Sequence, residues 1–234
     1  MKFSLSFLFL LTTFQYGFAA PPKPAAPVVG RLHAGWAITS ITPDQPVALA
    51  GQFHKRISER IETPVTATAL AIETRVGDQA IDQAIMVSCD LVIIADHIQP
   101  RLRKLLADRL PGFDLKKLFL NATHTHSAPV TRAIAWYDVT EPGVMKPDAY
   151  VDFMLKKIAA AVETAWKNRK PGGISWGLGH AVVGSNRRMV YRTAQGHPPF
   201  GGGTAVMYGR NNIPDFLSVE GSEDTGIEML FFWD

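Results

Sequence analysis

Cysteine is nearly absent from this chain of 234 residues: Cys89 stands alone. No intrachain disulfide can form, so stability has to come from core packing. Charge is also sparse. Charged residues make up 19% of the chain and the formal net charge is +3. The basic residues are scattered apart from short clusters at Arg101, Arg103 and Lys104 and at Arg187–Arg188, which read as solvated faces or structural ion pairs. Nothing in this pattern calls for a nucleic-acid partner. No apolar run is long enough to span a bilayer comfortably, so no transmembrane anchor is expected. Glycines 201–203 lack the Lys-Ser/Thr that would follow them in a phosphate loop. There is no internal repeat.

What the chain does have is apolar content, 47% of residues, enough for a sizeable core in one large domain or two small ones. Cys89 lies in an apolar run and reads as a buried small hydrophobe. Lys2, the apolar stretch 5–11 and the small residues Gly17 and Ala19 form the three parts of a signal peptide. Cleavage is expected after Ala19, with export to the periplasm or the exterior. Residues 20–30 are rich in Pro and Ala and read as an extended linker. Residues 31–234 then form the folded domain.

Within that domain the hydrophobic period alternates. Strands are expected at 35–40, 65–75, 84–94, 117–122, 174–183 and 227–233, and helices at 97–110 and 148–168. A turn at Gly77-Asp78 joins the second and third strands into a hairpin. The near-continuous apolar run 84–94 predicts a strand buried on both faces. Ile98, Leu102, Leu105, Leu106 and Leu110 mark one helical stripe; Val151, Met154, Leu155, Ile158, Val162 and Trp166 mark the other. Residues 41–51 and 196–203 read as loops. The fold class is α/β, with a mixed β-sheet core flanked by helices.

The residues that carry chemistry lie at the end of the fourth strand. His124 and His126 are two apart, and in extended backbone such residues point to one face. Two imidazoles at a strand end suit a zinc ion, although His-x-His pairs are also found as plain structural or surface residues. Asn121, Thr123, Thr125 and Ser127 are candidates to orient the rings by hydrogen bonds. Ser127 itself reads as a turn-capping hydroxyl rather than a nucleophile. Asp90 interrupts an apolar strand and needs a partner, either a histidine it orients or an arginine. Glu220, Glu223, Asp224 and Glu228 read as a solvated acidic loop.

The run NATHTHSAP at 121–129 resembles the THTHSGP signature of the neutral/alkaline ceramidase family. MVSCDL at 86–91 is similar to the family's VSADL strand. GWAITSITP at 35–43 with LAG at 49–51 resembles its opening strand and glycine loop, and Asn186-Arg187 its Asn-Arg segment. Members of that family are zinc amidases that cleave the N-acyl bond of ceramide to sphingosine and a fatty acid. The resemblance implies zinc on His124, His126 beside the nucleophile and the reacting carbonyl, Arg187 orienting or polarising those groups, and Gly51 near the substrate headgroup. It implies a ceramide-like lipid amide as substrate and allows peripheral membrane contact. Ala128 departs from the signature, which has glycine there. The family's second zinc histidine, its serine and its later glutamate and tyrosine ligands have no counterpart here. The chain therefore corresponds to the N-terminal part of a larger catalytic domain. The alternatives are a non-catalytic domain of the same fold and a metal-dependent hydrolase of another amide or ester.

Overall fold

The computed structural model describes residues 29–196 and 203–233. The segment expected as a signal peptide, nearly all of the expected linker and most of the 196–203 loop lie outside these residues. In chain order the strands are β1 (Arg31–Ser40), β2 (Ala48–Leu49), β3 (Arg56–Ile57), β4 (Thr66–Val76), β5 (Gln79–Cys89), β6 (Leu118–Ala122), β7 (Lys170–Pro171), β8 (Gly173–His180), β9 (Arg188–Gln195), β10 (Gly203–Met207), β11 (Phe216–Val219) and β12 (Gly226–Trp233). The helices are α1 (Ile98–Leu106) and α2 (Pro147–Lys167). The mixed α/β class is as expected.

The main sheet has the order β6-β5-β4-β1-β7, antiparallel except for the parallel β5–β6 pair. Parallel pairing needs a crossover, and α1 supplies it between β5 and β6. One face of the sheet is built from small residues: Ala67, Ala69 and Ala71 on β4 are buried, and Gly35 lies beside Ala71 on β1. A Cβ at Gly35 would come within 2.7 Å of Arg169 N, so the end of α2 lies directly on β1. Tyr150, Val151, Met154, Leu155, Ile158 and Val162 of α2 fill the core with Ile85, Val87, Leu102 and Leu106. Pro147 starts α2, where its missing N–H costs nothing, and Asp148 complements the first turn. Both apolar stripes are buried as read, except that Leu105 and Trp166 are only partly covered.

Three expectations change. Helix α1 ends at Leu106, four residues before Leu110, although Leu110 stays buried. Strand β5 runs Gln79–Cys89 rather than to residue 94, and it is buried on one face only. Ile85, Val87 and Cys89 point into the core, while Met86 and Ser88 are half-exposed. The physical reason is that among the described residues no layer covers the other face: Trp36, Leu70, Met86 and Phe119 form a row across four strands there, and Trp36 is 61% exposed. The third change is the set of strands β9, β10 and β11, which make a separate sheet ordered β10-β9-β11 in a segment read without strands. Cys89 is buried as expected; burial, then the adjacent Asp90 charge, pushes its thiol pKa up to about 12, leaving it an inert hydrophobe.

Candidate functional site

Strand β6 stops at Ala122, and the chain does not remain extended through the histidines. His124 adopts φ +64, the left-handed region, which is uncommon for a residue with a side chain. Two backbone bonds hold it there: Thr123 N–H donates to Cys89 O at 3.0 Å and His124 N–H to Leu91 O at 3.0 Å. The rings still converge, with His124 Nε2 and His126 Nε2 3.4 Å apart and the ring planes at 74°. Convergence thus comes from a turn after the strand rather than from strand alternation.

His124 Nδ1 lies 2.6 Å from Val92 O. A carbonyl only accepts, so Nδ1 carries the proton and the Nε2 lone pair is free. Fixing one ring nitrogen on a carbonyl so that the other can ligate is how metal-binding histidines are ordinarily oriented. The 3.4 Å separation is long for a direct N–H···N bond. It is close to the about 3.3 Å that separates two nitrogens each about 2.0–2.1 Å from a tetrahedral ion. These donors fit zinc as far as they go. A catalytic zinc ordinarily takes three protein ligands, and among the described residues no third His, Cys, Asp or Glu joins the pair. The orienting group for His124 is a backbone carbonyl, not the hydroxyls or amide of its neighbours.

Gly51 sits against His126. Its φ is +100, and a Cβ placed on it would fall 2.5 Å from His126 Cβ and Cγ and 2.7 Å from Cα. Only glycine permits both the conformation and the approach. A small second core supports this contact: Ala48, Ala50, Val130, Tyr137 and Val139 are buried together. Ala50 N–H donates to Ala128 O and Val130 N–H to Ala48 O, each at 2.9 Å. Ala128, where the ceramidase signature has glycine, is fully buried in this ladder, so its methyl is accommodated. Tyr137 Oη accepts from Gly51 N at 3.1 Å and donates to Gln52 O. Arg56 Nη2 donates to Ala50 O at 3.0 Å and to His126 O at 2.6 Å.

Arg187 is not brought to this cluster. Its guanidinium lies 5.0 Å from the ring centroid of Tyr208, beside the second sheet. Among the described residues, Asp90 pairs with neither a histidine nor an arginine. It accepts from Thr66 N at 2.9 Å, Thr66 Oγ1 at 2.8 Å and Thr123 Oγ1 at 3.2 Å, tying the base of the histidine turn to β4. Ser127 caps no backbone group among the described residues. With Thr125 and Asp90 it lines an open groove of about 1030 Å³ that neither histidine ring lines. The acidic residues late in the chain are exposed, apart from the half-buried Glu220, which pairs with Arg188. Val92, Tyr137 and Arg56 were not singled out from the sequence, because their roles depend on backbone contacts between distant segments.

Two imidazoles gathered on loops at the edge of a mixed α/β sheet define a candidate metal-assisted site on this fold. No family model matches the sequence, and no curated protein matches it. Among solved structures the fold is similar to that of neutral ceramidase from Pseudomonas aeruginosa, with a TM-score of 0.55 and 22% identity over 70% of this chain. It is similar in the same way to a ceramidase complexed with C2, with a TM-score of 0.54 and 22% identity. In each case the match spans 25% of the neighbour's chain. Similarity at this level concerns the fold. Among the described residues, no helix is long and apolar enough to cross a membrane.

Proposed function

We propose that this chain carries part of the site of a zinc-dependent amidase that cleaves the N-acyl bond of a ceramide-like lipid, releasing a fatty acid and an amine. The observation that carries this reading is the facing pair of Nε2 atoms 3.4 Å apart, with His124 fixed through Nδ1 on Val92 O. In this reading His124 holds the metal through Nε2. When bound, zinc supplies Lewis acidity and a water acidified toward neutral pH. His126 stands beside the reacting carbonyl, where its Nε2 accepts or returns a proton. Gly51 keeps the floor next to His126 free of side chain, leaving backbone against the substrate headgroup. Arg187 orients or polarises the reacting groups, which requires it to approach the pair from its present place on Tyr208. The remaining zinc ligands come from outside the described residues. The same reading takes residues 1–19 as a signal peptide, 31–234 as the ceramidase-like domain, and export with peripheral membrane contact as the setting.

The test is zinc content and hydrolysis on the same preparations. Protein that supplies the remaining ligands is expected to bind one zinc per chain and to release fatty acid from a fluorescent ceramide, with His124→Ala losing both. Zinc content unchanged in His124→Ala would sink the metal assignment. Cleavage of soluble amides but not ceramide would move the substrate to another class.

A further inference from the structure

Both histidines are exposed, so packing does not hold their rings. For His124 the fastening includes the ring itself, with its backbone N–H on Leu91 O and its ring Nδ1 on Val92 O. For His126 it is different. The His126 backbone is pressed onto Gly51, and the side-chain donor that reaches its carbonyl is Arg56. The β2–β3 pair places Arg56 opposite Leu49, one residue before Ala50. From there one Nη2 spans Ala50 O at 3.0 Å and His126 O at 2.6 Å.

We propose that Arg56 is a positioning residue for His126, clamping the glycine turn to the histidine turn. The catalytic consequence rests on the function proposed above; the geometric consequence does not. Two features set this arginine apart from the ion-paired ones. Among the described residues no carboxylate pairs with it, and its Nε is buried without a partner. Arg56 is half-buried along the open groove, and its two carbonyl bonds are the contacts that fix its guanidinium at the turn. A charged donor to carbonyls also makes a stronger bond than a neutral one. The His126 carbonyl is therefore held by a donor 70 residues distant in sequence, whereas the His124 ring is bonded directly, to Val92 O.

The clamp is tested by imidazole nitrogen NMR on the metal-free chain, comparing wild type with Arg56→Met and Arg56→Lys. In Arg56→Met the His126 ring resonances are expected to move and its contacts to the His124 ring to weaken. The His124 Nδ1 resonance stays in place. Arg56→Lys, which keeps a charged donor, is expected to recover part of the wild-type spectrum. If Arg56→Met does not fold, Arg56→Gln retains an amide donor and takes its place. In the ceramide assay the same variant should lower kcat at least tenfold with KM within about threefold, since the substrate floor at Gly51 remains. His126 resonances unchanged in a folded variant would overturn the proposal. So would His124, His126 and the core methyls all shifting together, which marks general loosening. Absence of hydrolysis in protein that supplies the remaining ligands would refute the amidase reading, while the spectra still decide the role of Arg56.

Discussion

Residues 29–171 and residues 172–233 are both rich in apolar strands, yet they bury them very differently. In the earlier region α1 and α2 cover one face of the five-stranded sheet, and both hydrophobic clusters lie there. In the later region Tyr191 and Val206 are the buried hydrophobics among the described residues. The β8–β12 ribbon has Ile174, Trp176, Leu178 and Leu230 outward on one face. On its other face Met229, Phe231 and Trp233 lie over the small residues Gly173, Ser175, Gly177 and Gly179. The apolar pattern of a strand fixes which side is greasy, but a covering layer fixes whether it is buried. The histidines, Gly51 and Arg56 all stand on the covered region.

The largest contrast should appear in stability. Ile158→Ala removes a fully buried side chain from the centre of the α2 interface, and should cost about 2–5 kcal/mol. Trp176→Ala, at 82% exposure, should stay within about 0.5 kcal/mol. Denaturant titration of both variants measures the difference. Equal losses would mean that the ribbon is packed in solution and that the two regions do not differ as described.

Next comes the ion cluster that pins the end of α2. Glu73 is buried and bonds Arg75 at 2.9 Å and Arg169 at 3.0 Å, while Arg169 lies over the ring of Trp166 at 3.2 Å. Burial raises the Glu73 pKa, but the hydrogen bonds and charges of Arg75 and Arg169 outweigh it and hold the carboxyl below its ordinary value. A depressed folded pKa contributes stability that is fully present above the unfolded carboxylate pKa. That stability is lost as pH falls through the lower folded value. Glu73→Ala should cost about 3 kcal/mol at neutral pH, the lower end for breaking a buried pair, because Arg75 reaches solvent. The acid side of the stability–pH curve should flatten in the variant. An unchanged acid limb would assign that slope to other carboxylates.

The site itself shows how far sequence reaches. The His-Thr-His pair and Gly51 were legible, the first as ligand chemistry and the second through resemblance. That they touch was not, because the contact joins residues 75 positions apart through a left-handed glycine and a two-residue ladder. The left-handed turn at His124 was also hidden: alternation predicts convergence on a strand, whereas the rings meet after the strand has ended. The core helices were readable because an amphipathic period is local. The uncovered face of β5 was misread because an apolar run is equally consistent with one covering layer or two.

Gly51→Ala attacks that contact directly. A methyl at φ +100 is strained, and here it also meets His126 at 2.5 Å. The conformational cost should be about 1–3 kcal/mol, modest beside the core variant. The functional cost should be larger than stability suggests, because relief of the overlap displaces His126. Loss of the His124–His126 ring contact by NMR, with melting only slightly lowered, is the expected pattern. A retained ring contact would mean that Gly51 is needed for its turn alone.

The smallest effect belongs to the opposite side of the same turn. Ser127 lies next to His126 in sequence, but it lines the groove with Thr125 and Asp90 rather than meeting the rings. Its side chain is exposed and makes no hydrogen bond among the described residues, so Ser127→Ala should change stability by less than about 0.5 kcal/mol. The His126 resonances should hold their positions, and ceramide hydrolysis should stay within about twofold of wild type. A tenfold loss of rate with an unchanged fold would bring Ser127 into the reaction. The division of this turn into a ring side and a groove side would then be wrong, and with it the reading that within this turn the chemistry belongs to His124 and His126.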